Sequence, residues 1–179
     1  SIGSDSTDLF IGTTDTGIRF NDAVNGVLPY NTSTGQTNGT LDLGFSSVRW
    51  KDLYLSGRAN LSNGSYVTFG DISTAIYGSN SLNLLTFTTN SSEKMRLDGS
   101  GNLMVGTTNT TPGAGNTTAG ISLFNDGRIF ASKAANTTMS LNRNTSDGNI
   151  LELRKDGTTV GAIGVINSDN LRIGGSVAD

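Results

Sequence analysis

The chain has 179 residues, of which 34% are hydrophobic and 15% charged; its net charge is −3, and it contains 24 Gly, 2 Pro and neither Cys nor His. That length allows one or two ordinary domains, and the residue set rules out a disulfide framework, a Cys/His zinc site and a His general base. No basic block marks a nucleic-acid footprint, and no apolar run approaches the about 20 residues of a membrane helix, so neither nucleic acid nor membrane insertion is expected.

Asn, Ser, Thr and Gly fill the remainder, and the glycines lack the three-residue period of collagen. Low charge with many β-branched Thr, Val and Ile points to strands, not to disorder. A Cys-free chain suits a protein that must last outside a reducing cell. There is no initiator Met or signal peptide, and the sequence stops on "GGSVAD"; it reads as a section of a longer protein.

In chain order, the first segment is "DLFIGTT" (Asp8 to Thr14), which returns as "NLMVGTT" (Asn102 to Thr108) and as "NLRIGG" (Asn170 to Gly175). "GIRFND" (Gly17 to Asp22) sets Ile18 and Phe20 against Arg19, the alternation of a half-buried strand. "YNTSTGQTNGT" (Tyr30 to Thr40) is a polar loop. Leu41 and Leu43 alternate before Gly44. In "RWKDLYLSG" (Arg49 to Gly57) the spacing of Trp50, Leu53, Tyr54 and Leu55 predicts a short helical turn running into a strand. Asn63-Gly64 signals a two-residue hairpin. Tyr66, Thr68 and Gly70 then share one face, with Val67 and Phe69 on the other. Leu82, Leu84, Thr86 and Thr88 alternate with Leu85 and Phe87. "MRLDGSGNLMV" predicts two short strands around a Gly-rich turn. "TNTTPGAGNTTAG" (Thr108 to Gly120) is a polar linker. The last third is a train of hairpins, with type I′ turns expected at Asp126-Gly127, Asp147-Gly148 and Asp156-Gly157 and a further turn near Ser168-Asp169. Besides "SSVRWKDLYL", only "ASKAANTTM" offers a helix. The segments group as 1–59, ending in the RWKDLYLSG motif, 60–112, and 113–179.

Such lean strands pose an energetic problem. Ordering one residue's backbone costs about 1–2 kcal/mol, and apolar burial returns only about 25 cal/mol per Å². One Leu and one Ile or Val per repeated phrase cannot close a core. Stacked repeats or association with identical copies can. The sequence therefore predicts an all-β, slender homotrimer whose central seam takes Leu9, Ile11, Leu103, Val105, Leu171 and Ile173, with glycines letting the backbones approach. Leu9 and Leu171 lie 162 positions apart, so the end of the chain restates its beginning.

Candidate chemistry is sparse. A glycan-cleaving pair needs two carboxylates about one sugar, but the only two Glu, Glu93 and Glu152, lie 59 positions apart, and most of the thirteen Asp neighbour Gly or Asn, as turns require. "DGSGN" (Asp98 to Asn102) has the start of a calcium loop without its distal Glu, and a hairpin turn is the simpler reading. Trp50 and Tyr54 are the candidates for stacking on a sugar; alternatively Trp50 locks a turn against the trimer axis, with Arg49 and Asp52 paired. Nine Asn-X-Ser/Thr sequons, among them Asn63 and Asn136, are what chance gives in this composition. No catalytic residue, cofactor or metal is expected.

"LDLGFSSVRWKDLYLSG", "SSEKMRLDGSGNLMVGTTN" and "NTSDGNILELRKDGTTVGAIGV" resemble the repeating phrases of tailed-bacteriophage tail fibre proteins, in which such phrases often precede a self-cleaving C-terminal chaperone domain. The resemblance runs from Asp8 to Ile173 and weakens over Val24 to Asn38 and Pro112 to Ala119. No chaperone-like segment is recognisable in the chain. The resemblance implies a parallel homotrimer, an interwoven β-prism or β-helix-like fibre on the virion, contacts with other tail proteins, and attachment to a glycan or protein receptor on the host cell surface. Alternatives from other classes are a polysaccharide-degrading tailspike segment and a bacterial extracellular filament or adhesin repeat.

Overall fold

The structure, a computed structural model, describes residues 2–5, 7–37 and 39–175. Ser176 to Asp179, the last residues of "GGSVAD", and Asn38 of the polar loop lie outside the described residues. Two compact units divide the chain, Ser1–Ala59 and Asn60–Asp179. The chain is all-β: among the described residues there is no helix, and fifteen strands form three sheets in which every pairing is antiparallel.

The first sheet runs β1 (Ile2–Asp5), β2 (Asp8–Thr13), β3 (Thr16–Asn21), β4 (Gly26–Asn31) and β5 (Gly35–Gln36), in chain order. The second runs β6 (Ser65–Phe69), β7 (Asp71–Ser79), β8 (Leu84–Thr89), β9 (Ser92–Leu97), β10 (Leu103–Val105), β11 (Gly120–Leu123) and β12 (Ile129–Ser132). The third is β13 (Gly148–Lys155), β14 (Thr158–Ile166) and β15 (Asn170–Gly174). Each sheet is a meander in chain order; its connections are short turns except the long link from Gly106 to Ala119 between β10 and β11.

Turn chemistry explains most connections. Between β13 and β14, Asp156 and Gly157 both have positive φ, 49° and 81°, as a type I′ turn requires. The β14–β15 turn places Asn167 and Ser168 at positive φ. Between β9 and β10, Asp98 Oδ1 accepts from the N–H groups of Ser100 and Asn102, at 2.9 Å each, and Asn102 Nδ2 donates to Oδ2. At Asp126-Gly127 the expected type I′ turn is replaced by a three-residue loop. Gly127 N donates to Phe124 O and Phe124 N to Arg128 O, and of the two central candidates only Gly127 has positive φ.

Several local expectations fail, most for want of a partner strand. Leu41 and Leu43 lie in irregular chain, as do Trp50 to Leu55; the sole pairing there is an isolated bridge between Phe45 and Val48. Asn63-Gly64 makes a turn but no hairpin, because no strand precedes it. Its Asn63 side chain instead binds the β7–β8 turn, Oδ1 accepting from Asn80 N at 2.6 Å. Asp147-Gly148 is likewise no hairpin: Gly148 opens β13, and Asp147 Oδ2 accepts from Ser168 N. "ASKAANTTM" is irregular apart from its first residues in β12. The polar loop after Tyr30 contains β5. The linker before β11 is tied by Asn116, whose Nδ2 donates to Thr111 O and Ala114 O while its Oδ1 accepts from Thr118 N.

β3 alternates as a half-buried strand, but the covered face is not the apolar one. Ile18 and Phe20 are exposed and Arg19 is covered. Arg19 reaches Asp8 at 2.6 Å, Asn21 Nδ2 donates to the same carboxylate, and Phe10 lies 4.9 Å from Tyr30 between ring centroids. The covered face of this sheet is thus polar and aromatic, and its aliphatic face is bare.

The other sheets repeat this division. On the second, cross-strand rows run Val67–Ile76–Phe87–Met95–Val105–Ile121–Ala131 and Gly78–Leu85–Leu97–Leu103–Leu123–Ile129. On the third, Leu151, Ile163 and Ile173 are in register, beside Val165 and Leu171. Every residue of these rows is exposed or half-buried, and none is buried. The apolar side chains buried among the described residues are Tyr30, Ala75, Met104, Ala162 and Pro112. The chain exposes 13340 Å², whereas two separate compact domains of these sizes would expose about 9,800 Å².

Candidate functional site

Trp50 and Tyr54, the candidate sugar-stacking pair, are 70% and 88% exposed and form no ring contact with one another among the described residues. Trp50 lies beside Gly44, whose φ of 96° carries the sharp bend there. The expected Arg49–Asp52 pair is absent: Arg49 Nε donates to Ser46 O, while Lys51 and the Tyr54 hydroxyl approach Asp52. Two exposed rings on irregular chain supply stacking area but no fixed polar partner.

The carboxylates are committed elsewhere. Glu93 is held bidentately by Arg96, at 2.5 and 2.6 Å, and Glu152 by Arg154 at 2.6 Å. The Glu93–Arg96 pairing and the Glu152–Asn149 contact each depend on a bulge, whereas Glu152 and Arg154 share a face by ordinary alternation. Lys94 is the extra residue in β9, and Ile150 is the extra one in β13. The first bulge brings Glu93 to Arg96, and the second brings Glu152 within 3.2 Å of Asn149 Nδ2.

The resolved carboxyl shifts are all downward. The Arg154 guanidinium and Asn149 hold Glu152 below the usual range. For Asp126 the main cause is the Arg128 N–H, and for Asp71 it is Ser73. Burial pushes Asp8 and Asp98 up, but N–H groups outweigh it in both, aided at Asp8 by Arg19. A general acid needs the opposite displacement. No group of three or more metal-ligating side chains occurs among the described residues. Both oxygens of Asp98 are taken by hydrogen bonds within its own turn, which makes that loop a hairpin connection.

The second sheet also brings together residues that sequence reasoning kept apart. Tyr66 lies opposite Tyr77, Tyr77 opposite Thr86, and Thr86 opposite Arg96. The two tyrosine rings are 4.7 Å apart. With Thr88, Glu93, Leu82 and Leu84 they line a groove of about 360 Å³. One signal was available: Tyr66 and Tyr77 are equidistant from the Asp71–Ile72 bond, where a hairpin would align them. Nothing local announces the bulge that turns Glu93 to the same face.

The repeated phrase has one structural meaning. In each copy the Leu and the β-branched residue point to the aliphatic face of their sheet. Leu9 and Ile11 are exposed, Leu103 is half-buried beside exposed Val105, and Leu171 and Ile173 are 71% and 73% exposed. The residue between them faces the other way: Phe10 meets Tyr30, and Met104 is 1% exposed. The first residue of two copies is a buried turn anchor: Asp8 binds Arg19 and Asn21, and Asn102 receives the Asn125 N–H. The chain matches no family model, no curated protein and no solved structure.

Proposed function

We propose that this chain is a structural and adhesive section of a phage tail fibre, a homotrimer in which copies of the chain cover one another's aliphatic sheet faces. The carrying observation is that all three sheets leave their Leu, Ile and Val rows in solvent. A monomer with five buried apolar residues among those described lacks the burial that offsets chain entropy. The phrase positions Leu9, Ile11, Leu103, Val105, Leu171 and Ile173 all lie on those faces, as a repeated seam requires. The resemblance to tail fibre phrases supplies the setting: a β-prism-like shaft on the virion, joined to other tail proteins and helping to attach it to the host surface. Three identical chains present each weak contact three times, and avidity follows. Arg-bound Glu93 and Glu152 and the downward carboxyl shifts favour this over a glycan-cleaving spike.

Light scattering on the isolated chain tests it. The expected mass is three times 18.6 kDa, falling to one copy on Val105→Lys, which places a charge in the proposed seam. A folded, monodisperse wild-type monomer would overturn the reading.

A further inference from the structure

We propose that the groove of Tyr66, Tyr77, Thr86, Glu93 and Arg96 binds a neutral oligosaccharide. This deepens the attachment half of the function proposed above and does not depend on the number of copies.

The row crosses four adjacent strands, so at about 4.8 Å per strand it extends for about 14 Å, the reach of a short oligosaccharide. Its apolar half is two tyrosine rings with centroids 4.7 Å apart, and Tyr66 is 46% exposed. Ring faces accept the C–H face of a pyranose, and both rings carry a hydroxyl for its edge. The polar half is the bidentate Arg96–Glu93 pair, whose side chains retain about a quarter of their exposure. It uses Arg96 Nε and Nη2, leaving Nη1 to donate and the outer carboxylate lone pairs to accept. Mutual clamping fixes both groups before a ligand arrives, which lowers the ordering cost of binding. The Glu93 hydrogen bond, aided by the charges of Glu93 and Asp98, outweighs burial and strengthens the hold of the Arg96 guanidinium on its proton. The two charges cancel, so the pair offers a charged ligand no net attraction but offers hydroxyl groups both donors and acceptors. Half-buried Thr88 adds a hydroxyl to the groove, above a floor that includes buried Thr86. The β9 bulge is what assembles the site, since regular alternation would place Glu93 and Arg96 on opposite faces. The groove lies on the face opposite the aliphatic rows, so covering those rows leaves it open.

Titration of the full chain with maltotetraose, cellotetraose, chitotetraose and tetragalacturonate, followed by NMR, tests this. At least one neutral tetrasaccharide is expected to bind and to shift the Tyr66 and Tyr77 ring signals. Tyr66→Ala and Arg96→Gln are each expected to weaken it at least tenfold, and Trp50→Ala to leave it unchanged. Should Tyr66→Ala fail to fold, the wild-type ring shifts decide. No binding at millimolar ligand, binding of tetragalacturonate alone, or loss of binding only in Trp50→Ala would each overturn the inference. Light scattering on the same samples separates the two proposals: a monomer that binds sinks the trimer and keeps the groove, and a trimer that does not bind does the reverse.

Discussion

The first and second sheets carry the same phrase, yet hold their covered faces in different ways. In the first sheet the covered side is a polar network: Asp8 accepts from Arg19, Asn21 and the Asp22 N–H, and Arg19 lies 5.7 Å from the Tyr30 ring centre. In the second, Met104 and Ser122 stand side by side in register and are both sealed from solvent. The middle residue of the phrase decides the difference. Phe10 is one ring among polar neighbours, whereas Met104 fills an enclosed position. The outer Leu and β-branched residues are alike in both sheets. An identical outer pattern therefore sits on two stabilising schemes, one governed by charge and one by volume.

The sharpest way to break this contrast is Met104→Ala. Deleting an enclosed side chain is expected to cost about 2–5 kcal/mol, read as a lowered midpoint in denaturant and lost hydrogen-exchange protection confined to β9–β12, with no dependence on pH between 5 and 8.

Asp8→Asn is expected to act on the first sheet and through pH. The folded carboxyl lies below its ordinary value, so its stabilisation is present above the unfolded value of about 3.9 and is lost as pH falls through the folded one. The variant should lose protection in β2–β4 at neutral pH and show a flatter acid limb below pH 4. An unchanged acid limb would mean that the network contributes nothing.

The smallest effect is expected at Ser122. Its hydroxyl is buried with no partner among the described residues, so Ser122→Ala removes an unpaid desolvation and should be neutral or stabilising by about 1 kcal/mol in thermal unfolding.

What could be read in the sequence follows from how local its cause is. The all-β class and the turns at Asp98–Asn102, Asp156-Gly157 and Asn167–Asp169 depend on residues adjacent to the bend. Asn63-Gly64 and Asp147-Gly148 carry equally good turn chemistry, but a turn residue does not specify whether a strand stands on both sides. Trp50, Leu53 and Tyr54 have helical spacing over too few residues to nucleate a helix without packing. The alternation of Ile18 and Phe20 against Arg19 marked two faces without saying which is covered, because that choice depends on Asp8 and Tyr30 in other strands. The Tyr66–Arg96 row needed the register of four strands and one bulge. Trp50 and Tyr54 drew attention as conspicuous aromatics, while the aromatics with fixed polar neighbours were elsewhere.

The meander order of every sheet has a consequence for biogenesis. Each strand finds its ladder partner among residues made moments earlier, so loop closure is short and contact order low. Hydrogen bonding within one polypeptide can finish while synthesis continues. For the proposed trimer, assembly is then expected to be limited by the meeting of preformed ribbons, a step whose rate rises with their concentration.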